Sequence, residues 1–172
     1  MAKRIFPFIL FFFGALHSGC GYHFIGEKSE ILSGVNAIAI PYFENKTYRA
    51  GLERQVTEAL VDEFVKSRTI AIVSEGDADA VLRGVIEEFR EYVSAFNEDD
   101  SALEYSSFLS LSVTLERRDT AEVLWRNKNL THIEDYTVSP DIAATEENKD
   151  QAILLSSREL AIRIHDSIIE GF

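Results

Sequence analysis

Cys20 is the only cysteine in the 172-residue chain, so thiol chemistry can occur at one position alone. Lys3 and Arg4 precede an almost unbroken apolar run from Ile5 to Leu16, and the small residues Ser18 and Gly19 stand just before the cysteine. A charged start, an apolar middle and a small-residue cleavage point make residues 1–19 an export signal. The run is too short to cross a bilayer core, which takes roughly 20 helical residues. A lone cysteine in an exported chain cannot close an internal disulfide, which leaves a free thiol, a bridge to another chain, or acylation. Its position directly after the signal points to acylation, with Cys20 as the first mature residue. The signal departs from the usual pattern at His17, which stands where leucine is common, with Leu16 one step further back.

The search for catalytic chemistry ends empty. His17, His23, His132 and His165 have no partners at metal-ligand spacing, and no serine sits in a nucleophile-elbow pattern. Residues Gly21 to Ser29 approach a phosphate loop, but Glu27 intervenes between Gly26 and Lys28 and would repel phosphate. They read instead as part of a tether over 20–34. Asp77, Asp79 and the Asp99-Asp100 pair read as solvated loops. Asn45-Lys46-Thr47 and Asn129-Leu130-Thr131 fit a glycosylation sequon, but Asn45 reads better as a turn residue. The expectation is a non-enzyme without metal or cofactor.

Two features could bind a partner. In the stretch from Leu103 to Glu116, Leu103, Tyr105, Leu109, Leu111, Val113 and Leu115 fall on one face, interrupted at Ser107, and Ser106, Phe108, Ser110, Ser112, Thr114 and Glu116 on the other. This is period-two patterning of a strand with one buried face. Its other face is a comb of small hydroxyls around one aromatic. That comb is either a docking surface or an ordinary solvated face. Arg117 and Arg118, followed by Arg126 and Lys128, form a local basic group that could meet phosphate; solvated turn and edge residues are the alternative.

The elements that must position these residues follow from spacing. Val35 to Pro41 reads as a first strand. Leu52, Val56, Leu60 and Phe64 recur every fourth residue, with Ala59, Val61 and Val65 widening the stripe of a helix over about 48–67. Thr69 to Ser74 reads as a short strand and Ala80 to Phe96 as a long one. Its alternation breaks near Phe89, where a bulge fits and a helix over 85–92 competes. Asn97 to Asp100 forms a hairpin loop, and Glu122 to about Tyr136 a further strand. Ser139-Pro140-Asp141 opens a last helix with serine as cap. Ile153, Leu160, Ile164 and Ile168 line that helix, with Ala161 and Ile162 beside them, and Gly171 stops it. The order predicts an α+β two-layer sandwich over 35–172. In it, two amphipathic helices pack on one face of a mainly antiparallel sheet of four to five strands.

Charge narrows the partners. The chain holds 29 acidic and 17 basic residues, a net charge of −12. Such a field excludes nucleic acid and does not draw the protein to anionic lipid. Membrane attachment must come from acyl chains, each buried methylene contributing about 0.8 kcal/mol.

Cys20-Gly21-Tyr22-His23-Phe24 resembles the start of mature chains in the LptE family of lipopolysaccharide-assembly lipoproteins. Further likeness lies in the strand Ala37 to Pro41 with Phe43 and Asn45, the helix opening Gly51-Leu52-Glu53, and the closing helix preceded by Glu147-Asn148. The resemblance implies a two-layer sandwich held as a plug inside the LptD outer-membrane β-barrel. There it would help the barrel assemble and help lipopolysaccharide reach the outer leaflet. Gly21 after the cysteine agrees with sorting to the outer membrane. The acidic hairpin tip at Asn97 to Asp100 favours plug and assembly roles over direct lipid handling, with Arg117 and Arg118 the candidate phosphate contacts. The alternatives are a lipoprotein carrier for a small amphiphile and an unrecognised hydrolase. A core cavity of roughly 300 Å³ or more would mark the carrier.

Overall fold

The computed structural model describes residues 30–171, so the export signal, Cys20 and most of the tether lie outside the described residues. A 3-10 turn at Glu30–Leu32 opens the fold. The strands are β1 (Ala37–Ala39), β2 (Glu44–Asn45), β3 (Ala71–Ile72), β4 (Ala80–Phe96), β5 (Ala102–Arg117) and β6 (Val123–Thr137), and the helices are α1 (Leu52–Ser67) and α2 (Ile142–Glu170).

The six strands form one mixed sheet in the order β3-β1-β4-β5-β6, with β2 also pairing to β4. The long strands β4, β5 and β6 are antiparallel. The short ones run parallel, β1 to both β3 and β4, and β2 to β4. The expected antiparallel sheet is therefore extended by a parallel margin. β1 and β2 share one edge of β4 and are interrupted around Pro41, which has no N–H to give a ladder. Residues 44–45 read as a turn in sequence because two residues are too few to show a period.

Both helices cover the face carrying Leu82, Ile86, Leu109, Leu111 and Leu115, which join Leu60, Phe64, Leu160 and Ile164 in one core. Val35 belongs to the same core, and so does Leu32 from the end of the segment read as a tether. The α1 stripe is narrower than expected. Leu52, Val56, Leu60 and Phe64 are buried, but Val65 is exposed because it lies on the flank. On α2, Ala161 is buried and Ile162 is exposed for the same reason. Thr57 accepts the Phe43 N–H (3.1 Å) while its own hydroxyl donates to the Glu53 carbonyl (2.6 Å), which keeps a buried hydroxyl satisfied.

The break in β4 is a bulge. Ile86 pairs with Leu111 and Glu88 with Ser110, so Glu87 is the extra residue, and Phe89 returns to the core opposite Leu109. The competing helix is absent. Gly84 is required by packing: a Cβ there would sit 2.0 Å from the Phe43 ring. The cap of α2 is Asp141, which accepts from the Ala143 N–H (2.9 Å), and not Ser139. Ser139 sits two residues too early, where its hydroxyl accepts from the Asp141 N–H (3.2 Å). Gly171, at φ 81°, ends the helix as expected.

Candidate functional site

The helices leave one face of β4, β5 and β6 uncovered. Its central row is Arg90, Phe108 and Ile133, aligned by register across the three strands. The Arg90 guanidinium lies 4.3 Å from the Phe108 ring centroid, a cation–π contact. It also pairs with Glu88 at 3.1 Å. Ile133 is 51% exposed. One row further along, the Ser106 hydroxyl donates to Asp135 at 2.5 Å. Ser112 donates to Glu87 at 2.7 Å, and Lys46 pairs with the same carboxylate at 3.0 Å. The Ser112 hydrogen bond, followed by that of Lys46, lowers the Glu87 pKa. Ser110 stands between Glu88 and Thr131. Phe108, Ser110 and Ser112 therefore share one half-exposed surface, as their spacing predicts. The sequence reading missed Arg90 and Ile133. Ile133 was discoverable as an apolar residue between Thr131 and Asp135 on the polar face of β6.

Arg117 and Arg118 lie at the other end of the sheet. The Arg117 guanidinium donates to Glu122 (3.0 Å) and to the Ser33 carbonyl (2.8 Å). Arg118 pairs with Asp119 (2.8 Å) and donates to the Gly76 carbonyl. These bonds fasten the 30–34 segment and the Glu75–Asp77 turn to the sheet. Nearby, Asp79 accepts the N–H groups of Asn36 (2.8 Å) and Ala37 (3.1 Å). Those two bonds hold its carboxyl below the usual carboxylate range. Arg126 donates to Thr114 (3.3 Å), the last hydroxyl of the comb.

A third cluster closes the distal half of the β4–β5 hairpin onto α2. Glu91 accepts from the Tyr136 hydroxyl and pairs with Lys149 (3.3 Å), which also pairs with Glu146 (2.8 Å). Tyr136 is buried and stacks on Tyr105 with ring centroids 5.7 Å apart. Burial, together with the Glu91 bond, pushes the Tyr136 phenol upward. Burial pulls Lys149 down, but its bonds to Glu146 and Glu91 outweigh that and leave it raised. Beyond this clasp the strands overhang the helices, and Phe96 and Leu103 are 60% and 47% exposed. Leu103 thus stands in the open although its parity is that of the core residues.

The concavities are open grooves. One of about 420 Å³ runs between the β1–β2 connection and α1, lined by Ile40, Pro41, Tyr42, Val61 and the acids Glu58 and Asp62. Among the described residues no group of three or more His, Cys, Asp or Glu could hold a metal ion. No described helix is long and apolar enough to cross a membrane.

A core shared by the sheet and both helices, a sheet face of mixed character that the helices leave bare, and grooves open to solvent describe a two-layer α+β sandwich. The chain belongs to the LptE family, described as lipopolysaccharide-assembly, whose model matches residues 35–168. A search of curated proteins finds no match. Among solved structures the chain is similar to the rare lipoprotein B from Shewanella oneidensis, at 16% identity and TM-score 0.53, covering 77% of this chain and 93% of that one. It is similar to an uncharacterized lipoprotein B from Nitrosomonas europaea, at 12% identity and TM-score 0.55, covering 88% and 92%. A minor lipoprotein from Acinetobacter baumannii shares 16% identity with TM-score 0.52, covering 79% and 92%. At these identities the likeness establishes the shared fold.

Proposed function

We propose that the protein is an outer-membrane lipoprotein, anchored by acyl chains on Cys20, that serves as plug and assembly partner of an LptD-type β-barrel. In that role it supports lipopolysaccharide delivery to the outer leaflet without catalysing a reaction. Its domain would occupy 35–172, joined to the anchor through 20–34. Family membership gives the lipopolysaccharide-assembly setting. The single observation that carries the plug reading is the sheet face around Phe108 that the helices leave uncovered.

Phe108, Ser110 and Ser112 are the proposed contacts. Their face alternates ion pairs, hydroxyls and single apolar groups, which suits the polar interior wall of a barrel. Arg117 and Arg118 were the candidates for lipid phosphate, and each would have to surrender existing bonds to serve. We therefore place the partner surface at the comb.

The test is purification of the full acylated chain from membranes. Co-elution of a large barrel in equal amount is expected. Phe108→Asp and Ser112→Arg, both on the half-exposed face, should reduce the co-eluting barrel without lowering the melting temperature. A monomer carrying bound lipid would overturn the reading in favour of an amphiphile carrier.

A further inference from the structure

β6 is an edge strand of 15 residues, and among the described residues side chains from α2 cap its outer side at two carbonyls. The Val138 N–H donates to the Leu103 carbonyl (2.8 Å), so residues of even number along the strand turn their backbone groups toward β5. Thr131, Ile133, Asp135 and Thr137 therefore turn theirs outward. The Thr131 carbonyl accepts from Arg163 (3.2 Å), and the Thr137 carbonyl from Asn148 (3.0 Å), both side chains reaching from α2. Between these two caps, among the described residues, nothing bonds the outward N–H and C=O groups of Ile133 and Asp135. An unpaired row of this kind is a template for another strand.

A groove of about 240 Å³ lies beside this free stretch, walled by Tyr136, Asn148, Gln151, Ala152 and Leu155. A strand laid along β6 would turn alternate side chains toward α2, and the one opposite Tyr136 would enter the groove. Tyr136, Ala152 and Leu155 give it apolar walls. Asp135 is the charged residue of the groove's lining; beside it Glu134 pairs with His132 (3.1 Å) and Glu159 with Arg163 (3.0 Å), so the acids of this stretch exceed its permanent positive charge.

We infer that the free edge of β6 between Thr131 and Thr137 accepts an extended peptide segment of a partner protein, with an apolar residue flanked by basic ones. This goes beyond the plug reading and does not rest on it, because it concerns the backbone groups along the edge of β6, although the Ile133 side chain also lies in the Phe108 row. A second copy of the chain fits less well. The symmetric register that uses both free residues sets Glu134 opposite Glu134, and like charges directly opposed are destabilising.

The experiment uses the full chain in detergent and one defined probe, the capped peptide Arg-Thr-Val-Leu-Val-Thr-Arg. Saturable binding is expected, with amide exchange at Ile133 and Asp135 slowed about tenfold or more. Two analogues, N-methylated on alternate amides in opposite phase, separate backbone pairing from greasy adhesion. One must lose binding and the other keep it, since an edge uses every second amide. Ile133→Pro removes an outward N–H and leaves the β5 ladder intact, and Leu155→Glu blocks the groove from an exposed position. Each should weaken binding about tenfold or more with the melting temperature little changed. Absence of saturable binding, equal behaviour of the two analogues, or slowed exchange that follows protein concentration without peptide would overturn the proposal, the last in favour of self-pairing. Ile133 also lies in the Phe108 row, so Leu155→Glu, which is off that face, and the N-methylated analogues keep the peptide reading separate from co-elution of the barrel.

Discussion

The β4–β5 hairpin is held by different physics in its two halves. From Ala80 to Phe89 the inward residues Leu82, Ile86 and Phe89 are sealed under both helices. From Tyr92 onward, among the described residues, the strands run out from under the helices, and the polar clasp of Glu91, Tyr136 and Lys149 stands at that boundary. The near half is stabilised by removing apolar surface from water, a large and non-directional gain. The distal half depends on a few directed bonds, each worth little net but costly to leave unmade. A partner meeting the distal half would therefore meet a region that can adjust without disturbing the core.

That contrast can be broken or sharpened in a graded series. Leu160→Ala empties fully buried space at the centre of the near half and should cost about 2–5 kcal/mol in urea unfolding. Gly84→Ala drives a methyl group into the Phe43 ring and should cost about 1–3 kcal/mol. Phe43→Leu in the same chain should recover part of that loss, measured as a non-additive double-mutant cycle. Tyr136→Phe removes only the hydroxyl that reaches Glu91 and should cost about 1–3 kcal/mol, with amide exchange quickening in the distal strands before the near ones. If exchange instead quickened uniformly, the division between the halves would be lost.

The two ends should also answer to opposite ends of the pH scale. Tyr136 and Lys149 are both raised in the folded state, so their contributions are complete below the unfolded values near 10 and fade as pH climbs above them. Alkaline loss of stability should be shallower in Tyr136→Phe. Asp79 is lowered, so its contribution is present above the unfolded value of about 4 and fades as pH falls through the lower folded value. Asp79→Asn should flatten the acid limb and leave the alkaline limb alone, as read from the denaturation midpoint across pH. At the small end, Phe96→Ser on the overhang should shift stability by no more than about 0.5 kcal/mol.

Sequence spacing revealed the near half far better than the distal one. The fourfold repeat from Leu52 to Phe64 and the alternation from Leu109 to Leu115 are direct imprints of burial on one face. Leu103 has the same parity as those core residues and is exposed, because parity reports which face a residue is on and not whether a helix covers it. The bulge at Glu87 was visible as a break in rhythm. The two-residue strand β2 was not visible, since its existence depends on pairing with Val85 and Ile86 forty residues away. At the candidate site, Phe108, Ser110 and Ser112 were legible as a comb. Arg90 and Ile133 come from the two neighbouring strands, and only register brings them beside Phe108. The bonds that occupy Arg117 and Arg118 were equally hidden, because their acceptors include main-chain carbonyls at Ser33 and Gly76.

Leu32 and Ile168 close into the same core, and α2 packs against the turn that carries Leu32. A nascent chain emerging in order thus exposes the seat for its last helix until that helix has been made. Contacts so distant along the chain slow the collapse to the native state. The architecture thus postpones completion of the core until the C-terminal helix is available.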